Sequence, residues 1–171
     1  MLKPSKATYP AYFQRYVDQV PEEDLFTAFK QQDAPLQKFL EEVSEERSLY
    51  AYAEGKWTLK EVLQHLIDAE RIFCYRALCF ARKEEASLPS FEENDYAANS
   101  NANSRTWKSM CDEMLAVRKA TIMLFESFTE EALLSSGIAN NNPTSAIAMG
   151  FISIGHVYHH ITVAKERYLN S

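Results

Sequence analysis

Apolar residues recur at helical spacing along four long segments of this chain, and glycine rarely interrupts them. The 171 residues include four glycines, about a third of the roughly 7% average usage of that residue. Scarce glycine argues against many hairpins and against glycine-rich phosphate loops. No segment shows sustained strand alternation, so the sequence predicts an all-α protein. The length suits a single domain over residues 1–171.

The first two predicted helices differ in how clearly their ends are marked. The first covers about residues 21–44 and contains Pro35, which predicts a kink or a brief break. The second covers about residues 58–84 and has the clearest start. Thr58 is its expected N-cap, and Glu61 is placed to complete a capping box.

A long irregular connection separates the second helix from the third. Residues 85–104 are rich in Ser, Asn and acidic side chains, which is typical of a crossover and a candidate binding loop. The third helix is expected over about 105–128. The fourth is expected over about 142–169, with Asn142 as N-cap followed by Pro143. The sequence therefore predicts an antiparallel four-helix bundle with a crossover between helices 2 and 3.

Charge and hydropathy exclude several classes of function. With 24 acidic against 18 basic residues, the chain lacks the basic footprint of a nucleic-acid-binding protein. No apolar run approaches the roughly 18 residues of a membrane span, and we expect neither membrane insertion nor a signal peptide. The three cysteines are an odd number without a CxxC spacing. They predict reduced, buried thiols and a cytoplasmic protein, the alternative being a catalytic or redox cysteine.

The four histidines carry the strongest chemical signal. His65 lies in the second predicted helix, while His156, His159 and His160 lie in the fourth. His156 and His160 are four residues apart, so their side chains point within about 40° of each other, on the apolar face. His159 points toward the flank of that face.

Two interpretations of the inward histidines remain open from their spacing. Two imidazoles on one helix can supply nitrogens to a divalent cation at about 2.0–2.1 Å, and His65 is the only histidine on another helix. Three protein ligands with one open position are typical of a catalytic metal site. The alternative is that these histidines are hydrogen-bonded core residues.

Other polar residues are candidates for supporting roles. Asp68 could orient an imidazole or act as a base on a bound water, the alternative being a solvated charge. His159 could support the ligands, shuttle a proton, or simply lie at the flank. Glu70 falls on the apolar stripe and needs a partner, for which Arg167 is a candidate in a structural ion pair.

Several motifs together resemble one known family. The run GKWTLKEVLQHLIDAE at residues 55–70 resembles the signature of the DinB-like superfamily, in its second branch. The resemblance extends over about residues 22–169 through FEENDYA at 91–97, a Gly-x-Ala-Asn turn at 137–140, GHVYHH at 155–160 and KERY at 165–168.

This resemblance implies a four-helix bundle that binds Zn²⁺, Ni²⁺ or a similar divalent ion through His65, His156 and His160. The superfamily includes thiol transferases that use bacillithiol, mycothiol or glutathione, a maleylpyruvate isomerase, and members regarded as metal-dependent hydrolases or stress-induced proteins. It implies an enzyme that activates water or a low-molecular-weight thiol against a small-molecule substrate, and it is consistent with a homodimer. The alternative is a non-enzymatic stress-related or interaction protein with a structural or vestigial metal site.

Overall fold

Four long helices and three short ones form the frame of the protein in a computed structural model that describes residues 2–169. In chain order the α-helices of that range are α1 (Gln14–Val17), α2 (Leu25–Glu42), α3 (Leu59–Ala81), α4 (Glu93–Asn99), α5 (Trp107–Glu126), α6 (Glu130–Leu134) and α7 (Ala146–Ala164). The predicted all-α four-helix bundle with a crossover is confirmed, and its long helices are α2, α3, α5 and α7. A small antiparallel hairpin, β1 (Ser136–Ala139) and β2 (Asn142–Ser145), precedes α7.

The start of α2 is fixed by a side-chain cap. Asp24 accepts a hydrogen bond from the backbone N–H of Thr27 at 2.9 Å, and the helix begins at the next residue, later than expected from the sequence. Pro35 lies inside this helix, which continues to Glu42, so the predicted break is absent. The apolar side of α2 is buried, and packing of that face stabilises the helix across the proline.

The predicted capping box of α3 is confirmed. The Thr58 hydroxyl accepts from the backbone N–H of Glu61 at 3.1 Å, and the Glu61 carboxylate accepts from the Thr58 N–H at 2.8 Å. The helix ends at Ala81, three residues before the expected end. Lys83 adopts a left-handed conformation (φ 61°) just beyond it, which is a common way for a helix to stop.

The fourth long helix begins later than the sequence analysis predicts. Asn142 and Pro143 belong to β2 and do not cap a helix, so that prediction is wrong. Ser145 is the N-cap of α7, because its hydroxyl accepts from the backbone N–H of Ala148 at 3.3 Å. Beyond α7 the chain continues in a wider helical turn, Lys165–Leu169.

The hairpin explains why α7 begins later in the sequence than predicted. Ala139 pairs with Asn142, which leaves a two-residue turn of Asn140 and Asn141. Both turn residues have positive φ values, 49° and 59°. Two consecutive left-handed residues form the turn that suits a tight β-hairpin, and asparagine tolerates this conformation well.

The crossover between α3 and α5 is tied to this hairpin. The backbone N–H of Leu88 donates to the carbonyl of Ile138 at 2.9 Å, and the N–H of Asn140 donates to the carbonyl of Leu88 at 3.0 Å. Its remaining length includes the short helix α4, which packs against α3. The crossover therefore lies beside α3 and holds the hairpin turn next to it.

A buried ion pair links α3 to α5. Glu70 accepts two hydrogen bonds from the Arg118 guanidinium, at 2.9 and 2.8 Å, and Arg118 also donates to the amide oxygen of Gln32 on α2. The expected partner, Arg167, is instead exposed and stacks over the ring of Tyr52. The prediction that Glu70 pairs with Arg167 is wrong, since Arg167 lies beyond the end of α7 and turns outward.

The bundle has a largely apolar interior in which α7 is the central element. This helix is buried along most of its length and contacts α2, α3 and α1. Within residues 2–169, no helix combines the length and the apolar character needed to cross a bilayer. Because α3 and α7 pack side by side, polar residues on their facing surfaces are brought together inside the bundle.

Candidate metal centre

Three imidazoles from α3 and α7 meet inside the bundle. The Nε2 atom of His156 lies 3.0 Å from Nε2 of His65 and 3.1 Å from Nε2 of His160. One ring nitrogen from each of the three residues falls within 4.8 Å of the other two. The helical spacing of His156 and His160 places both on the face of α7 that packs on α3.

The donor set fits a divalent cation better than it fits hydrogen bonding alone. A ring nitrogen carries either one N–H or one lone pair, so Nε2 of His156 can satisfy only one of its two close neighbours. A cation accepts all three lone pairs at once. Tetrahedral ligands at about 2.0–2.1 Å from Zn²⁺ lie about 3.3 Å apart, close to the separations of 3.0 and 3.1 Å seen here.

Burial keeps these imidazoles neutral. It lowers the pKa of His65 to about 4 and the pKa of His160 to about 3, with nearby imidazoles adding to the effect. The pKa of His156 falls well below its ordinary value, again chiefly through burial and next through His160. Neutral rings at neutral pH keep the lone pairs that a metal ion requires.

Aromatic side chains hold the imidazoles in place. The ring of Trp57 lies 5.0 Å from the ring of His65, measured between centroids. Tyr16 and Phe73 approach His156 edge-on, with centroids at 5.2 and 5.6 Å. Packing of this kind limits rotation of each ring and keeps its nitrogen aimed at the common point.

The N-terminal segment, residues 2–24, reaches the site because Gly155 has no side chain to keep it away. Gly155 directly precedes His156, and a methyl group on its Cα would lie 1.9 Å from the backbone carbonyl oxygen of Tyr16. Only a residue without a side chain allows α1 to approach α7 so closely. That approach places the Tyr16 ring against His156.

We expect Gly155→Ala to destabilise the protein by about 1–3 kcal/mol, because the backbone at Tyr16 must move to admit a methyl group. The free energy of unfolding in urea measures this loss. Gly150→Ala on the same helix is the matched control, since its methyl would meet only side-chain atoms, of Leu25 at 2.8 Å and Phe125 at 3.1 Å, and no backbone. An equal or larger loss in the Gly150 variant would contradict the expectation.

A cavity of about 450 Å³ lies against the three histidines. The N-terminal segment, α3, α7 and the crossover all contribute to its wall, the crossover through Ser90, Phe91 and Glu93. His159 also lines it, with its ring 5.0 Å from the ring of His160. The crossover therefore helps to bound the space that a ligand would occupy.

Asp68 lies in a polar network away from the imidazoles. Its carboxylate accepts a hydrogen bond from the Gln64 amide at 2.9 Å, and Gln64 in turn accepts from Arg105 at 2.7 Å. Burial raises the pKa of Asp68. Asp68 is not among the residues that line the cavity, whereas His159 is.

The three cysteines lie outside the lining of the cavity. In the part of the chain that the structure describes, Cys74, Cys79 and Cys111 are free, as the sequence predicts. Burial raises the pKa of Cys74 and of Cys111 to about 11, so both remain protonated at neutral pH. A thiol at this site would therefore have to come from an added molecule.

Sequence reasoning missed the contributions of the N-terminal segment and of the far end of α3. Tyr12, Phe13, Arg15 and Tyr16 line the cavity, and so does Arg76. A signal for the first group does exist, because a glycine beside an inward histidine indicates close approach of another backbone. Nothing in the local sequence singles out Arg76.

Comparisons with known proteins agree with this architecture. A family model for the DinB superfamily matches residues 10–164. Among solved structures, YfiT from Bacillus subtilis, described as a probable metal-dependent hydrolase with an unusual four-helix bundle topology, matches with a TM-score of 0.73 at 14% identity. The match covers 98% of this chain and 92% of that chain. No curated protein matches the sequence significantly.

Proposed function

This chain belongs to the DinB superfamily, and on that premise we propose that it is a metal-dependent hydrolase of small electrophilic substrates. We assign the ion to His65, His156 and His160. The observation that carries the proposal is the convergence of their three neutral ring nitrogens at the wall of a 450 Å³ cavity. A structural metal site would use a closed set of four protein ligands.

The chain supplies binding, orientation and exclusion of solvent. When bound, a divalent ion such as Zn²⁺ or Ni²⁺ supplies a Lewis acid and lowers the pKa of a water or thiol in its open position. The buried surroundings of His156 exclude water from the protein side of the site. Trp57 and Phe73 fix the rings, so little reorganisation is needed when substrate enters.

His159 and Asp68 differ in their position relative to the cavity, and therefore in the roles we assign to them. His159 is half-buried and lines the cavity beside His160, so we assign it a hydrogen bond to the substrate or its leaving group. Asp68 bonds to Gln64, so we confine its role to the polar network on α3 and assign it no contact with the reacting atoms.

The experiment measures metal content and turnover in protein purified without a histidine tag. Elemental analysis is expected to give one divalent ion per chain after reconstitution with Zn²⁺ or Ni²⁺. Hydrolysis of activated esters such as 4-nitrophenyl acetate is expected to stop with a chelator and to return with the metal. Parallel reactions with glutathione report any transfer to a thiol.

Three results would contradict the hydrolase proposal, each in a different way. A folded protein that takes up no metal would overturn the proposal. Bound metal that raises the melting temperature but supports no reaction with water or thiol would indicate the alternative, a non-enzymatic protein with a structural or vestigial site. Thiol-dependent turnover without hydrolysis would assign the protein to the transferases.

A further inference from the structure

Arg76 is a buried cation that has no acidic partner in the part of the chain that the structure describes. Three basic side chains are buried within residues 2–169, Lys60, Arg76 and Arg118. Lys60 pairs with Glu45 and Arg118 pairs with Glu70. Arg76 is 6% exposed, and no carboxylate of the described chain lies within 4.0 Å of its guanidinium.

Within residues 2–169, one hydrogen bond engages this guanidinium. Nη2 of Arg76 donates to the backbone carbonyl of Pro89 in the crossover at 2.8 Å. Burial lowers the pKa of Arg76, yet a guanidinium keeps its charge at neutral pH and carries five N–H donors. Burying an unpaired charge is unfavourable. An anion supplied from outside the chain would pair with this charge.

The unpaired group faces the same cavity as the histidines. His65, Ala69, Phe73 and Arg76 all line it from α3, and their spacing of four, four and three residues places them on one helix face. Arg76 lies eleven residues beyond His65, about 16 Å along the helix axis. Long side chains on a helix lean toward its N-terminus, which here is the direction of the histidines.

Apolar rings line the part of the cavity that lies between the histidines and Arg76. Phe73 lies between His65 and Arg76 on α3, and Phe13 and Phe91 face the same space from the N-terminal segment and the crossover. The ring of Phe91 lies 6.0 Å from the guanidinium carbon of Arg76. A ligand that spans the cavity therefore contacts an apolar wall along its middle.

Charges at the rim also favour an anion. Arg15 lines the cavity, where it donates to the hydroxyl of Tyr16 at 2.9 Å and stacks over the ring of Tyr12. Glu93 is the one acidic residue in the lining, and it is exposed at the start of α4 in the crossover. Arg76 is buried and Glu93 is solvated, so the arginine has the stronger influence on a bound ligand.

We infer that the ligand of this cavity is a small organic anion with an apolar body, whose carboxylate or phosphoryl group binds Arg76 while its other end reaches the three histidines. This assignment rests on the proposed function for the reaction itself. A guanidinium binds both anion types through two parallel N–H···O bonds, so the shared chemistry is an anionic oxygen group.

The test measures binding to the metal-free protein, so that no ion takes part. Calorimetric titrations use 4-phenylbutyrate, its uncharged amide and 3-phenylpropylphosphonate. Wild-type protein is expected to bind at least one anion about tenfold or more tighter than the amide. The carboxylate and phosphonate titrations separate the two anion chemistries.

Variants on α3 assign the effect to one residue. Arg76→Met is expected to lower the affinity for the anion about tenfold or more and to leave the amide unchanged, while Arg76→Lys retains part of the affinity. Arg82→Met is the matched control, because Arg82 is exposed on the same chain segment and does not line the cavity. Thermal melts confirm that each variant is folded.

Several results would overturn the inference: equal wild-type affinity for acids and amide, absence of anion binding at millimolar concentration, or unchanged anion affinity in folded Arg76→Met. If that variant does not fold, the comparison of acid with amide in the wild type still decides the question. The titrations contain no metal, so their outcome is independent of the hydrolysis assay. Anion selectivity without hydrolysis would contradict only the proposed function. Hydrolysis without anion selectivity would contradict only this inference.

Discussion

Replacing His156 with glutamine is expected to reduce the affinity for Zn²⁺ or Ni²⁺ by more than the roughly 10–100-fold that accompanies loss of an outer partner of a metal ligand. His156 is the central residue of the cluster, with Nε2 atoms of two other histidines within 3.1 Å. Two imidazoles on different helices would remain, which is too few to hold the ion tightly. Competition with a chromophoric chelator measures the dissociation constant.

The control for this prediction lies three residues further along the same helix. His159→Gln changes the same residue type beside His160, but His159 contributes no nitrogen to the cluster. It should keep the wild-type affinity. A melting temperature that rises with added metal in wild type and His159→Gln, but not in His156→Gln, would agree with the assignment. Equal metal loss in both variants would contradict it.

Glu70→Ala is expected to destabilise the protein by about 3–5 kcal/mol, because it leaves the Arg118 guanidinium buried without its countercharge. Arg118 donates two hydrogen bonds to Glu70, and both side chains are almost fully buried. Chemical denaturation at neutral pH measures the loss. The effect is on stability, since neither residue lines the cavity.

Two companion variants make this prediction specific. Arg167→Ala removes the partner that the sequence suggested, and it should change the free energy of unfolding by less than about 1 kcal/mol because Arg167 is exposed. Combining Glu70→Leu with Arg118→Met should recover much of the stability lost in Glu70→Ala, since apolar residues can replace a buried pair. A mild effect of Glu70→Ala would show that water or a rearranged neighbour compensates Arg118.

Features of the fold that depend on a few adjacent residues were predicted well. Thr58 and Glu61 form the capping box of α3 because their interaction needs only one turn of helix. The shared face of His156 and His160 follows directly from 3.6 residues per turn. The start of α7 was predicted wrongly, because the Asn140–Asn141 turn competes with the Asn-Pro capping signal that follows it.

Local periodicity and residue chemistry specify the helical class, the crossover and the helix face that His156 and His160 share. The packing of the helices sets which side chains from distant segments meet. It pairs Glu70 with Arg118, brings Tyr16 against His156, and leaves Arg76 buried without an acidic partner among the described residues. Such contacts depend on how helices distant in sequence pack and rotate against each other, and no spacing within a single helix encodes that geometry.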